Sequence, residues 1–107
     1  MKKITSYSET ELEILRKIEE NPRLTQRQIA EQMDLSLGKI NYLIKALLNK
    51  GLLKINNFRR SDNKLGYLYL LTPKGVDTKK ELTLTFLKRK SEEFDKLKKE
   101  IQRMEQS

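Results

Sequence analysis

Between Leu35 and Ser61 the chain carries Lys39, Lys45, Lys50, Lys54, Arg59 and Arg60, and not one aspartate or glutamate. Cations in an acid-free stretch are not consumed by near neighbours, and the chemistry they serve best is contact with phosphate groups. They account for most of the formal net charge of +8. A solvated lysine-rich surface has the same composition, so the deciding question is whether one face of the fold collects these side chains. Other chemistries are closed off. The chain has no cysteine and no histidine, which removes thiolate nucleophiles, disulfides, soft metal sites and the usual neutral-pH base. The acids lie in charge-mixed helical stretches, and no nucleophile–base pair can be assembled. No enzyme, metal or cofactor is expected. Imidazole-based pH sensing and thiol redox sensing are excluded, whereas a small-molecule effector stays open.

Capping chemistry locates the elements that must position these residues. Ser8-Glu9-Thr10-Glu11 is a capping box, with Tyr7 placed to staple against Leu12, and it predicts a helix from Ser8 to Glu20 that Asn21-Pro22 ends. Thr25-Gln26-Arg27-Gln28 is a second box with Leu24 as its staple, opening a short helix that stops at Asp34. Ser36 caps a third helix, Leu37 to Asn49, closed by Gly51. Its residues Leu37, Ile40, Leu43, Ile44, Leu47 and Leu48 share an apolar face. Two short helices with buried stripes and about three residues between them read as a helix-turn-helix.

Beyond Gly51 the period changes. Leu53 and Ile55 alternate with Lys54 and Asn56, the segment from Arg59 to Gly66 is polar and turn-prone, and Tyr67 to Leu71 is a second strand. That is a β-hairpin wing. Thr72-Pro73 then opens a helix that nothing breaks before Met104. The expected fold is mainly α with a small hairpin. Residues 1–71 form a winged helix-turn-helix DNA-binding domain, and residues 72–107 a long C-terminal dimerisation helix.

On the third helix Gly38, Tyr42, Lys45 and Asn49 point away from the apolar stripe, with Lys39 and Asn41 on its flanks. A recognition helix enters the major groove N-terminus first, so Ser36, Gly38, Lys39, Asn41, Tyr42 and Lys45 are the candidate contacts. Asparagine can pair with adenine, lysine can reach guanine, and tyrosine can touch phosphate or a thymine methyl. Gly38 costs the helix about 1 kcal/mol relative to alanine. Close approach to DNA and tight helix packing explain it equally well. Thr25, Gln26 and Arg27 open the second helix as further candidates, and Arg59, Arg60, Asn63 and Lys64 are those of the wing. Tyr67 and Tyr69 alternate with leucines and read as sheet packing.

Phe94, Leu97, Ile101 and Met104 form a seam at spacings of three and four, preceded by Leu82, Phe86 and Leu87 and interrupted at Lys90. A helix this long cannot bury its far end against so small a domain. Its economical partner is the same helix of a second subunit, with Phe86, Leu87, Phe94, Leu97, Ile101 and Met104 as dimerisation residues. An exposed, frayed end is the competing reading.

Leu24-Thr25-Gln26-Arg27-Gln28-Ile29-Ala30, Lys50-Gly51-Leu52 and Leu71-Thr72-Pro73-Lys74-Gly75 resemble the MarR family of bacterial regulators. Ser36-Leu37-Gly38-Lys39-Ile40-Asn41-Tyr42, Asn57-Phe58-Arg59, Asn63-Lys64 and the tail Phe86-Leu87-Lys88-Arg89-Lys90 are similar to a short subgroup associated with exopolysaccharide gene clusters. The resemblance implies a homodimeric transcriptional regulator that binds double-stranded operator DNA. In the wing, Asp62 is followed two positions later by Lys64, where many relatives have arginine. Lysine lacks the planar fork of arginine, so the wing contact need not be the same one. A winged domain acting as a protein-interaction adaptor is the alternative, and RNA binding finds no exposed aromatic platform. No apolar run reaches the ~18–20 residues of a membrane span, and Met1-Lys2-Lys3 precedes no signal-peptide core, so the cytoplasm is the expected location.

Overall fold

The computed structural model describes residues 8–59, 62 and 65–106. Their order is α1 (Glu9–Glu20), α2 (Gln26–Met33), α3 (Leu37–Asn49), β1 (Leu53–Arg59), β2 (Leu65–Leu71) and α4 (Pro73–Gln106). Each of the first three helices starts where a side chain satisfies its free N–H groups. Ser8 Oγ accepts from the Glu11 N–H at 3.1 Å while Glu11 Oε1 accepts from the Ser8 N–H at 3.0 Å. Thr25 and Gln28 make the same reciprocal pair at 3.0 and 2.9 Å. Ser36 Oγ accepts from the Lys39 N–H at 3.0 Å, without a reciprocal bond because lysine carries only donors. Caps of this kind are worth about 1 kcal/mol each. The stops are equally local: Asp34 takes the left-handed conformation at φ 56°, and Gly51 does so at φ 77°.

The core is formed where the three helices meet the base of the hairpin. Leu12, Ile14, Leu15 and Ile18 of α1, Ile29 of α2, and Ile40, Leu43, Ile44 and Leu47 of α3 are buried together with Leu52 and Leu53. Leu37, expected on that apolar face, is 40% exposed, because in the first turn of α3 the helix has not yet reached the core.

Strands β1 and β2 pair antiparallel from Leu53↔Leu71 to Arg59↔Leu65. Both are longer than the alternation predicts, and Arg59 and Gly66 lie in the ladder rather than in the loop. The extension has a support outside the sheet. The Arg23 guanidinium, from the turn before α2, sits 4.8 Å from the centre of the Phe58 ring, and Phe58 pairs with Gly66.

Helix α4 is 34 residues long, about 50 Å at 1.5 Å per residue. Its first half runs antiparallel to α1, with Lys79 Nζ 2.7 Å from Glu19 and Lys90 Nζ 3.3 Å from Glu9. Leu82 and Phe86 are buried between those two ion pairs. This corrects one expectation: Phe86 belongs to the subunit's own core, because α1 covers α4 as far as Lys90. From Leu87 to Gln106 every residue of α4 is exposed.

A clasp joins the end of α3 to the start of α4. Thr72 Oγ1 donates to the Gly51 carbonyl at 2.6 Å and accepts from the Gly75 N–H at 3.0 Å. The Thr72 N–H donates to the Leu52 carbonyl, also at 3.0 Å, and Lys74 Nζ donates to the Lys50 carbonyl at 3.1 Å. Gly75 lies so close that a Cβ there would collide with the Leu52 carbonyl oxygen. Alanine is the better helix former by about 1 kcal/mol, but overpacking against backbone costs roughly 1–3 kcal/mol. Gly75→Ala is therefore expected to lower the melting temperature by several degrees in calorimetry. An unchanged or raised value would mean that α4 docks less tightly than the clasp implies.

Candidate nucleic-acid interface

Helix α3 divides cleanly by burial. Ile40, Leu43, Ile44 and Leu47 face the core, whereas Ser36, Gly38, Lys39, Tyr42, Lys45 and Asn49 are exposed on the outward side. Tyr42 is 69% exposed with no packing role. Nothing lies within 4 Å of where a Gly38 Cβ would stand, so tight helix packing does not account for this glycine. The face is open, polar and basic, on an eight-residue α2 and a thirteen-residue α3 held by a shared core.

One position on this face runs against helix stability. The third residue of α1 is Glu11 and that of α2 is Gln28, each completing a capping box. The third residue of α3 is Lys39, and α3 has no acid in its first turn. A cation near a helix N-terminus opposes the macrodipole and forgoes the reciprocal cap. An anion brought to it from outside would offset that cost, and a helix N-terminus also favours phosphate.

Asn41 and Gln26 hold a different position. Asn41 Nδ2 donates to Gln26 Oε1 at 3.1 Å, and Gln26 Nε2 donates to the Tyr69 hydroxyl at 2.9 Å. All three side chains are at least half covered. The chain of bonds ties α3, α2 and β2 together, so one polar group of Asn41 and both groups of Gln26 are engaged inside the subunit. Tyr69 packs in the sheet as its alternation predicts, but Tyr67 is 63% exposed. Thr25 supplies the α2 cap, and Arg27 projects outward beside it.

Of the basic residues between Leu35 and Ser61, Lys50 is turned inward, with Nζ 3.4 Å from the buried Glu11 carboxylate. It does not contribute to the outward face. Arg59 is exposed at the end of β1, and with Arg23, Thr25, Gln28 and Tyr67 it lines an open cleft between the hairpin and the start of α2. Arg60, Asn63 and Lys64, the remaining wing candidates, lie outside the described residues, as does Tyr7. Arg23 lines that cleft and stacks on Phe58 but is not among the candidates read from the sequence. Its signal would have been a lone arginine in the turn that begins a helix-turn-helix.

Among the described residues no group of carboxylates could hold a metal ion, and no helix is long and apolar enough to cross a membrane.

Residues 7–54 match the family described as winged helix-turn-helix DNA-binding. No curated protein matches the sequence. Among solved structures, the chain is similar to Staphylococcus aureus MarR in complex with salicylate and kanamycin, with a TM-score of 0.62 and 23% identity over 84% of this chain and 58% of that one. Lactococcus lactis ZitR aligns with a TM-score of 0.61 and 25% identity over 84% of this chain and 59% of that one. A transcriptional regulator homologue from Pyrococcus horikoshii gives 0.64 and 21%, over 88% of this chain and 95% of that one. The chain thus spans less than two thirds of the MarR and ZitR chains. Its architecture is a winged helix-turn-helix domain continued by one long C-terminal helix.

Proposed function

We propose that this protein is a MarR-like transcriptional regulator that binds double-stranded operator DNA sequence-specifically as a homodimer. The observation that carries the reading is the outward face of α3, where Lys39 and Lys45 stand exposed beside Tyr42 with no acid in the helix. Lys39 and Ser36 lie where a helix entering the major groove meets the backbone first, while Tyr42 and Lys45 follow one and two turns deeper. Open space over Gly38 lets the DNA approach the helix axis. Arg27 and Arg59 flank the helix as phosphate contacts, and Arg60, Asn63 and Lys64 of the wing belong with them. Asn41 and Gln26 act from behind, setting the tilt of α3.

Homodimerisation is supported by the uncovered second half of α4, where Leu87, Phe94, Leu97, Ile101 and Met104 are 54–69% exposed. Two copies joined there would present two recognition helices to half-sites about one turn of DNA, ~34 Å, apart. Surface-polysaccharide genes are the targets that the subgroup resemblance indicates, and the cytoplasm is where such a regulator acts.

A mobility-shift assay on DNA upstream of the protein's own operon tests the reading. With six to ten phosphate contacts per dimer, affinity should fall roughly 10³-fold or more between about 50 and 200 mM salt. An affinity that does not respond to salt, or no shift against any genomic fragment, would leave the adaptor reading in its place.

A further inference from the structure

We infer that the exposed half of α4 pairs with a second copy of itself in parallel and in register, so that both winged domains sit at the same end of a short two-helix stalk. The inference rests on the homodimer reading and adds the orientation, which the charges along α4 decide.

Leu87, Phe94 and Ile101 recur every seven residues, and Leu97 and Met104 fill the intervening positions of the same stripe. In heptad terms these are a and d. The first d position is Lys90, which the ion pair with Glu9 draws toward α1 of its own subunit. The unobstructed seam thus begins at Phe94, where α1 no longer covers α4. On this assignment Glu93 and Glu100 occupy g, whereas Ser91, Lys98 and Glu105 occupy e. The g and e rows flank the seam and choose the orientation of the partner.

A parallel pair sets each g residue against the e residue five positions on in the partner. Glu93 then meets Lys98 of the second copy, twice by symmetry. The unfavourable contact, Glu100 with Glu105, is likewise doubled by symmetry but falls in the last turns. An antiparallel pair sets g against g and e against e, so that glutamate faces glutamate at Glu93 and Glu100, and a pairing centred near Lys98 also opposes two lysines. Neither Glu93 nor Lys98 makes an ion pair with another described residue, so both are available. Lys98 already lies across the seam, with Nζ 5.6 Å from the centre of the Phe94 ring, the posture of a long side chain covering an apolar stripe.

The absence of cysteine gives a direct test. Leu97→Cys and Met104→Cys are made separately in the full chain, with Lys99→Cys, on the opposite face, as control. Under mild oxidation the parallel pair should give disulfide-linked dimers at both 97 and 104 and little at 99. Residues 97 and 104 are about 10 Å apart along the helix, so an antiparallel pair can bring only one of them to its axis. Crosslinking at one position alone overturns the orientation while leaving the dimer intact. A protein that is monomeric by light scattering overturns the dimer reading itself, and DNA binding is scored apart by mobility shift. Charge reversal supplies a second readout. Glu93→Lys and Lys98→Glu should each weaken the dimer roughly threefold to tenfold, and the double swap should restore it. A Lys98→Glu variant as dimeric as the parent would also count against the parallel arrangement.

Discussion

Lys39→Glu is expected to strengthen the helix that carries it and to remove most of the protein's affinity for DNA. The helix gains because glutamate at the third position of α3 can return a bond to the Ser36 N–H, as Glu11 does for Ser8 in α1. It also sits well with the positive end of the macrodipole. Together these should add about 0.5–1 kcal/mol. DNA binding loses because each dimer exchanges two cations for two anions where the backbone phosphates would lie. A loss of about 1.4 kcal/mol at each of two sites compounds to on the order of a hundredfold in Kd. Thermal melting and mobility shift on the same preparation check both halves. An undiminished affinity would remove Lys39, and with it the N-terminal turn of α3, from the interface. Few substitutions separate folding from binding so sharply, since most binding-site losses can be blamed on a damaged fold.

The second large effect is expected from Leu97→Asp. Leu97 is 57% exposed in the subunit, so the change should leave the fold of a single copy undisturbed. In a two-helix stalk it places a carboxylate on each side of a dry seam, and burying two unpaired like charges is far costlier than the leucine contact was favourable. Analytical ultracentrifugation should report a monomer. Operator affinity should fall by about 10²–10⁴, the advantage that bivalency confers. A Leu97→Asp protein that still sediments as a dimer would place the interface elsewhere on the molecule.

How much of this could be read from the chain depends on how far apart the interacting residues lie. The capping boxes of α1 and α2 and the cap of α3 involve residues three positions apart, and the helices begin where those patterns put them. The left-handed stop at Asp34 and the glycine stop at Gly51 are local for the same reason. The strand ends lie beyond the alternation because Asn57 and Gly66 have poor strand propensity, and the Phe58–Gly66 pair there is backed by Arg23 from another element. The site was legible as a face and only partly as residues. Lys39, Tyr42 and Lys45 point outward as helical geometry requires. The inward turn of Lys50 depends on Glu11, 39 positions away, and the engagement of Gln26 depends on Tyr69, 43 positions away. Phe86 lies beside Leu87 at the edge of the exposed seam, and only the length of α1 determines where coverage of that seam stops. Gly75 was legible only as part of a motif, since its physical reason is a carbonyl on a separate segment.

The bonds running from Asn41 through Gln26 to Tyr69 join two amides and a phenol, none of them ionic. Salt that loosens the lysine and arginine contacts with DNA has no comparable hold on neutral hydrogen bonds. On the proposed DNA-binding reading, grip and shape would be separate: ionic strength would set how tightly α3 is pressed against a duplex, while neutral hydrogen bonds tie α3, α2 and β2 together. Such a molecule would slide along DNA or release it as the cell's ionic composition changes, and would keep the same preferred sequence throughout.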